Sequence, residues 1–393
     1  MHAHWNLKES ELMTITDPRV DTTRTPTATY REIVRQPETW RQSADLLRNR
    51  RPEITAFLAP LLAQRDLRIV LTGAGTSAFV GEIAATTLSK ALDRRVEAIA
   101  TTDIVSNPAA VFAQDLPTLV VSFARSGNSP ESVAATNLAT RVLTSAHHLV
   151  ITCDEDGELA RAHIGTQSLV LVLPPTTNDT GFAMTSSFSS MLLTVLGSFI
   201  EELLEHVDGL ADDVARFISR EEERINSLLD FPFRRVVYLG SGPLTGLARE
   251  SALKMLELTA GQVVAFFDSP LGFRHGPKAL VDDETLVVVF QSAEEYTAQY
   301  DDDIVAELRA AHPTHVVRVG VHEAPIDQDF MLGAPTAPDA LRAVSLIVFA
   351  QLLALDTSMN LGCTPDNPFP NGSVNRVVQG VRIHPFTAEE EGR

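Results

Sequence analysis

Two loops of this 393-residue chain gather hydroxyls, glycines and a guanidinium at the spacing of an anion cradle. "TGAGTSA" places Thr76 and Ser77 beside Gly75, and "SFARSGNSPES" places Ser126, Asn128 and Ser129 around Gly127, with Arg125 as a point charge. Hydroxyls donate, glycines let backbone N–H groups come close, and a helix starting after such a loop adds its positive end. The chemistry this suits is phosphate binding. Serine and threonine in such places also cap helices, but two hydroxyl-rich loops on one sheet weigh towards the cradle. A dinucleotide site is not expected, because "GAGTSAFVG" lacks the GxGxxG spacing and no acidic residue stands where a ribose would need one.

A third stretch could move protons. In "ARESALKMLELTAG", Glu250, Lys254 and Glu257 stand at i, i+4 and i+7, along one face of a helix. Such spacing usually means a surface ladder of salt bridges. Here the face is embedded in Ala, Leu and Met, so at least one carboxylate is expected to be partly buried, with its pKa raised towards the range of a general base. A fourth stretch, "LGFRHGPKAL", presents His275 on a Gly276-Pro277 turn that any polar residue could make, flanked by Arg274 and Lys278.

These stretches recur on a common scaffold. "LRIVLTGAGTSAFVGEIAATTL" and "RRVVYLGSGPLTGLARESALKML" both run strand, Gly-rich turn, helix, with Gly73 and Gly75 falling on Gly240 and Gly242 at an offset of 167. The same offset, without gaps, carries "VEAIA" onto "VVAFF", "TLVVSF" onto "TLVVVF" and "HLVIT" onto "HVVRV". That is the signature of a duplicated domain. Short Val/Ile/Leu runs alternating with helical segments predict an α/β fold of two doubly wound halves, each a parallel sheet buried on both faces. Ligands of such sheets sit beyond the carboxyl ends of the strands, where the hydroxyl-rich loops fall. The second copy keeps Ser241 and Thr245 but has "VFQSAEEY" in place of the SGNS loop, so one phosphate site per chain is expected.

The predicted organisation is an N-terminal lead-in with helices over 1–64, a first domain over 65–205, a linking helix over 206–229, a second domain over 230–356, and a tail over 357–393 wrapping back over the active site. The lead-in reads as irregular through Thr29, then helical from Tyr30 to Gln64, with Pro37, Pro52 and Pro60 as helix starts or breaks. Helical character from Ser186 to Leu229 links the copies, and "ALRAVSLIVFAQLLALD" closes the second.

A formal net charge of -19 and a pI near 5.0 argue against nucleic acid or an anionic membrane as partner. Cys153 and Cys363 form no CxxC or zinc spacing, which fits a reducing cytoplasm. No apolar leader and no run of membrane-span length is read. His2/His4 and His147/His148 lack ligand spacing, and neither a metal nor another cofactor is expected.

The loops "GAGTS" and "ARSGNS", the helix "ESALKMLE" and the turn "HGP" resemble the sugar-isomerase (SIS) domain family over about Leu67 to Asp356, especially the isomerase half of glucosamine-6-phosphate synthase. "SFARSGNSPESVAA", "NDTGFAMTSSFSSML" and "TPDNPFPNGSVNRVVQG" are more specific and resemble the AgaS branch, the galactosamine-6-phosphate deaminases or tagatose-6-phosphate ketose/aldose isomerases. The resemblance implies phosphate-binding roles for Ser77, Ser126 and Ser129, proton transfer by Glu257 supported by Glu250, and sugar-ring opening by His275. Because that histidine reaches into the partner subunit's site in the synthase, a homodimer with shared sites is implied. The chain departs from the synthase at Ala124, where a hydroxyl is usual, so that Arg125 or backbone groups must complete the shell. Its last lysine is Lys278, so no tail lysine exists for a Schiff base, and there is no glutaminase half to supply ammonia. The implied activity is conversion of galactosamine 6-phosphate to tagatose 6-phosphate and ammonia through an enolamine. The alternatives are aldose/ketose isomerisation without deamination and, in another class, a non-catalytic sugar-phosphate sensor. A sensor has no need of the Glu250/Glu257 pair.

Overall fold

The computed structural model describes residues 27–321, 326–334, 336–378 and 380–386. The lead-in up to residue 26, including His2/His4, lies outside the described residues.

Strands that are apolar at every position have no face to give to water, so they must lie between helices. After α1 (Ala28–Val34) and α2 (Gln36–Leu62), the first copy runs β1 (Arg68–Thr72), α3 (Thr76–Leu92), β2 (Val96–Ala98), α4 (Thr101–Ser106), α5 (Pro108–Val111), β3 (Thr118–Ala124), α6 (Pro130–Val142), β4 (Ala146–Thr152), α7 (Glu158–Ala162) and β5 (Ser168–Val172). Then come α8 (Ser186–Phe199) and α9 (Val207–Asn226). The second copy runs β6 (Arg235–Gly240), α10 (Pro243–Leu258), β7 (Val264–Asp268), α11 (Pro270–Phe273), β8 (Thr285–Phe290), α12 (Glu295–Ala311), β9 (Val316–Val321), β10 (Asp329–Met331) and α13 (Asp339–Asn360).

Both sheets are five-stranded and parallel, ordered β2-β1-β3-β4-β5 and β10-β9-β8-β6-β7, which is one order read from opposite ends. The fold is thus two tandem doubly wound α/β units. The duplication is visible in the pairing itself: Arg68 lies opposite Thr118, and Arg235 opposite Thr285. Gly75 at φ 55° and Gly242 at φ 56° precede α3 and α10 in the same left-handed turn, which a side chain would strain. The repeat lapses at the last strand, where β10 is short and its register shifts between Phe330 and Met331.

The two copies meet through those helices. α3 packs on α10, and Gly246 lets them close, since a Cβ there would come within 2.8 Å of Ile83. Arg249 spans the joint, paired with Glu82 at 2.5 Å and lying over the rings of Phe79 and Phe267. α13 is buried from Asp339 to Ser358 and packs against α1, α8, α9 and α10. Among the described residues it alone is long and apolar enough to cross a membrane, a length that the sequence reading does not credit to any run. Its apolar core is wholly covered by protein.

Three expectations need correction. Pro52 and Pro60 do not break α2, because Trp40, Ala44, Leu47, Ile54, Leu58 and Leu61 continue one buried stripe past them, and both prolines sit on the exposed face. Pro37 stands in the first turn, as expected of a helix start. The helical link is not continuous: α8 ends at Phe199 and a 3-10 turn, Glu201–His206, precedes α9. The tail begins later than residue 357, since α13 runs to Asn360.

The tail packs on α1 and on the loop that follows β5. The Asp366 carboxylate accepts from the backbone N–H groups of Ala28 and Thr29 at 2.7 and 2.8 Å, and Phe369 packs on Phe182 with ring centroids 5.2 Å apart.

Candidate active site

The cradle forms beyond β1 and β3. A cleft of about 110 Å³ lies between the two loops, lined by Ser77, Arg125, Ser126, Ser129 and Ser132 and bordered by Arg376–Val378 of the tail. Ser129 also caps α6: its hydroxyl donates to Ser132 Oγ at 2.7 Å and accepts from the Ser132 N–H at 3.4 Å. Capping and cradling are therefore combined in one residue. Ser132 is the lining hydroxyl that sequence reasoning missed, although it stands only three residues beyond Ser129.

Two residues expected in the cradle lie beside it. Asn128 is exposed, and its Oδ1 accepts from the Glu158 N–H at 2.9 Å, tying the loop to α7. Thr76 opens α3 on the side packed against α10, so its hydroxyl meets the carboxylate ladder instead. Gly127, at φ 66°, supplies the turn between Ser126 and Asn128.

Arg125 is buried, with Nη1 donating to the Phe182 carbonyl at 3.4 Å and Nη2 to the Arg376 carbonyl at 3.0 Å. Burial disfavours its charge and Arg376 adds to that, whereas Asp179 and Glu257 favour it. Phe182 is itself held from behind. Glu32 of α1 accepts from the Thr180 hydroxyl at 2.8 Å and the Gly181 N–H at 3.2 Å. Asp179, wholly buried, accepts N–H bonds from Thr185, Ser186 and Ser187 at the start of α8. The run "NDTGFAMTSS", an acid followed by small hydroxyl residues, is the signal for this support.

The ladder on α10 is more buried than its spacing reveals. Lys254 is fully enclosed, its Nζ 3.3 Å from Glu250 Oε1, 2.5 Å from Glu257 Oε2 and 3.1 Å from Thr76 Oγ1. Thr76 in turn donates to Glu250 Oε1 at 3.3 Å. Burial pushes Glu250 up to about 8, aided by Glu257 and opposed by Lys254 and the Thr76 hydroxyl. The same burial works against the Lys254 ammonium, but Glu250 and Glu257 together outweigh it and raise its pKa. The desolvated carboxylate is thus Glu250. Glu257 keeps 24% of its side chain exposed, which makes it the member of the ladder that a substrate can reach.

Cradle and ladder adjoin, since Ser77, which lines the cleft, directly follows Thr76, which meets the ladder. Such an arrangement can fix an anion at one end and exchange a proton with Glu257 at the other.

His275 lies on the turn after α11, exposed, with Gly276 at φ 132° making the bend. Among the described residues no hydrogen bond or ion pair joins it to the cradle or the ladder. Its neighbours Arg274 and Lys278 both pair with Glu307 of α12, so they belong to a surface ion cluster. His147 and His148 lie on β4, and among the described residues no cluster of His, Cys, Asp and Glu could hold a metal ion.

Comparison with known proteins agrees with this architecture. The SIS domain model matches residues 61–200 and 232–361. The AgaS protein of Streptomyces coelicolor is 50% identical over 368 residues, covering 91% of this chain and 95% of that protein. The D-galactosamine-6-phosphate deaminase AgaS of Escherichia coli is 46% identical over 385 residues, covering 93% of this chain and 97% of that protein. The crystal structure of tagatose-6-phosphate ketose/aldose isomerase from Escherichia coli superposes with a TM-score of 0.85 at 42% identity, covering 92% of this chain and 98% of that one. By the match of both halves and by full-length likeness to AgaS proteins, the chain belongs to the SIS domain family.

Proposed function

We propose that this enzyme, of the sugar-phosphate deaminase and isomerase class, converts galactosamine 6-phosphate and water to tagatose 6-phosphate and ammonia. The observation that carries the reading is Lys254, buried between Glu250 and Glu257 and joined through Thr76 to the serine cradle. Ser77, Ser126, Ser129 and Arg125 hold the 6-phosphate, with Asn128 ordering their loop from outside. His275 of a second copy opens the sugar ring, giving a homodimer with shared sites. Its exposure, with no side-chain hydrogen bond or ion pair among the described residues, supports that role.

Glu257 then takes the proton from C2 of the open-chain amino aldehyde, and a proton returns to C1 through the enolamine. C1 becomes CH2OH and C2 becomes a ketimine, whose C=N bond water hydrolyses to the C2 ketone and ammonia. Lys254 pairs with Glu257, the base, and Glu250 holds Lys254 in place. The final hydrolysis makes the enzyme a hydrolase as well as an isomerase. Cys153 and Cys363 are free thiols, which supports a cytoplasmic setting.

The likeness to the Escherichia coli ketose/aldose isomerase favours a second reading, in which a C2 hydroxyl undergoes the same proton shift without loss of ammonia. Ammonia assayed across galactosamine, glucosamine and N-acetylated 6-phosphates, beside tagatose 6-phosphate isomerisation, separates the two. Ammonia and tagatose 6-phosphate in equal amounts from galactosamine 6-phosphate supports deamination. Isomerisation with no ammonia from any amino sugar contradicts it.

A further inference from the structure

Arg376 borders the cleft between the serine loops, exposed and with no side-chain hydrogen bond or ion pair among the described residues. Its carbonyl oxygen is the acceptor for Arg125 Nη2 at 3.0 Å, so one guanidinium pins the backbone of the other arginine. Two like charges are thereby held on one small cavity. After burial, Arg376 is the strongest influence against the charged form of Arg125. The residues lining the cavity include both arginines and four serines, yet no carboxylate.

Asp179 and Glu257 favour the charge of Arg125 from outside the cavity, but in a chain with 51 Asp and Glu against 32 Lys and Arg the lack of a carboxylate in the lining is not for want of available ones. Like charges that share a site are unfavourable unless a counter-charge joins them. A phosphate monoester is a dianion whose oxygens suit the planar fork of a guanidinium. Arg125 spends donors on only two carbonyls and has five N–H groups, so it can hold the tail and a phosphate together.

We propose that Arg376 is a phosphate-binding residue delivered by the tail, closing with Arg125 on the phosphoryl group of the substrate. Phosphate binding and docking of the tail then reinforce each other. The tail is already anchored by Asp366 on α1 and Phe369 on Phe182, so only the segment beyond them has to settle. This rests on the phosphate-cradle reading above and adds to it the second cation, from a part of the chain far from both serine loops.

The test compares wild type, Arg376→Gln, Arg376→Lys, Arg382→Gln and Ser126→Ala, all as full-length protein. Calorimetry gives the Kd for inorganic phosphate, and steady-state kinetics give kcat and KM with galactosamine 6-phosphate. Loss of a charge-assisted bond predicts that Arg376→Gln raises both the phosphate Kd and the KM by roughly ten- to a hundredfold, with kcat changed much less. Arg376→Lys recovers part of the loss, and Arg382→Gln, on the exposed tail, recovers nothing because it loses nothing. If Ser126→Ala weakens phosphate binding while Arg376→Gln does not, Arg376 has no such role. Equal losses from Arg376→Gln and Arg382→Gln also overturn the proposal, since net charge would then explain them. If neither Ser126→Ala nor Arg376→Gln alters phosphate binding, the cradle reading itself fails, and the proposal with it.

Discussion

Lys254 Nζ lies 2.5 Å from Glu257 Oε2 while its other side faces Glu250, and the lysine has no exposure at all. A buried cation between two carboxylates leaves one negative charge in excess, and burial together with Glu257 raises the pKa of Glu250. Removing the lysine should therefore be severe. Lys254→Met is expected to cost about 3–5 kcal/mol, because it leaves the buried Glu250 and the partly exposed Glu257 without the cation between them. Adding Glu250→Gln should return part of that stability without restoring activity. Denaturant midpoints of the single and double variants check this. A single variant as stable as wild type would show that the ladder is solvated.

Asp366 and Thr29 tie the tail to α1 through bonds of 2.7 and 2.8 Å. Asp366→Ala is expected to cost about 1 kcal/mol, the usual value of a helix-capping carboxylate. Cleavage of the tail by trypsin should quicken and the substrate KM should rise. Unchanged cleavage would mean that the tail is held elsewhere.

How much of this was legible beforehand depends on how local its cause is. The Gly75 and Gly242 turns and the Arg68–Thr118 and Arg235–Thr285 pairings follow from a repeat that can be read residue by residue. The ladder was visible as spacing, but which carboxylate is closed off depends on how α3 packs on α10, and the side of the helix that Thr76 faces depends on the same contact. Pro52 and Pro60 misled because their local tendency to end a helix is outweighed by a long buried stripe. Arg376 could not be placed at the cleft from its neighbours in sequence, since the chain between it and Arg125 spans the whole second copy.

His148 offers a pH test. Burial, then His163 and His147, lower its pKa from 6.5 to about 4, and among the described residues its buried Nδ1 has no acceptor to take the N–H that protonation would create. Its Nε2 meets the Thr140 hydroxyl at 2.9 Å. A histidine whose folded pKa is depressed contributes stability above its unfolded pKa and loses it as the pH falls through the folded one. Stability should therefore decline from pH 6.5 towards pH 4, by up to about 3 kcal/mol from this residue. His163 and His147 shift in the same direction and add to the slope. His148→Phe should flatten the acid limb. An unaltered slope would place the acid sensitivity elsewhere.

The proposed sharing of sites makes a prediction about mixtures. Glu257→Gln and His275→Asn should each be inactive while folding as wild type. Unfolding the two together and refolding them should restore about a quarter of wild-type activity, because half the dimers are mixed and each mixed dimer rebuilds one complete site. No recovery from a mixture shown to exchange subunits would place His275 in its own chain's site or outside the mechanism.

The central claim is that Glu257 moves the C2 proton that leads to ammonia. Ammonia release from galactosamine 6-phosphate by the Glu257→Gln variant, measured beside its affinity for that sugar phosphate, tests it most directly. Retained affinity with ammonia release reduced by a thousandfold or more, on the order expected for loss of an acid–base group in its working geometry, agrees with the account. Turnover equal to wild type contradicts it.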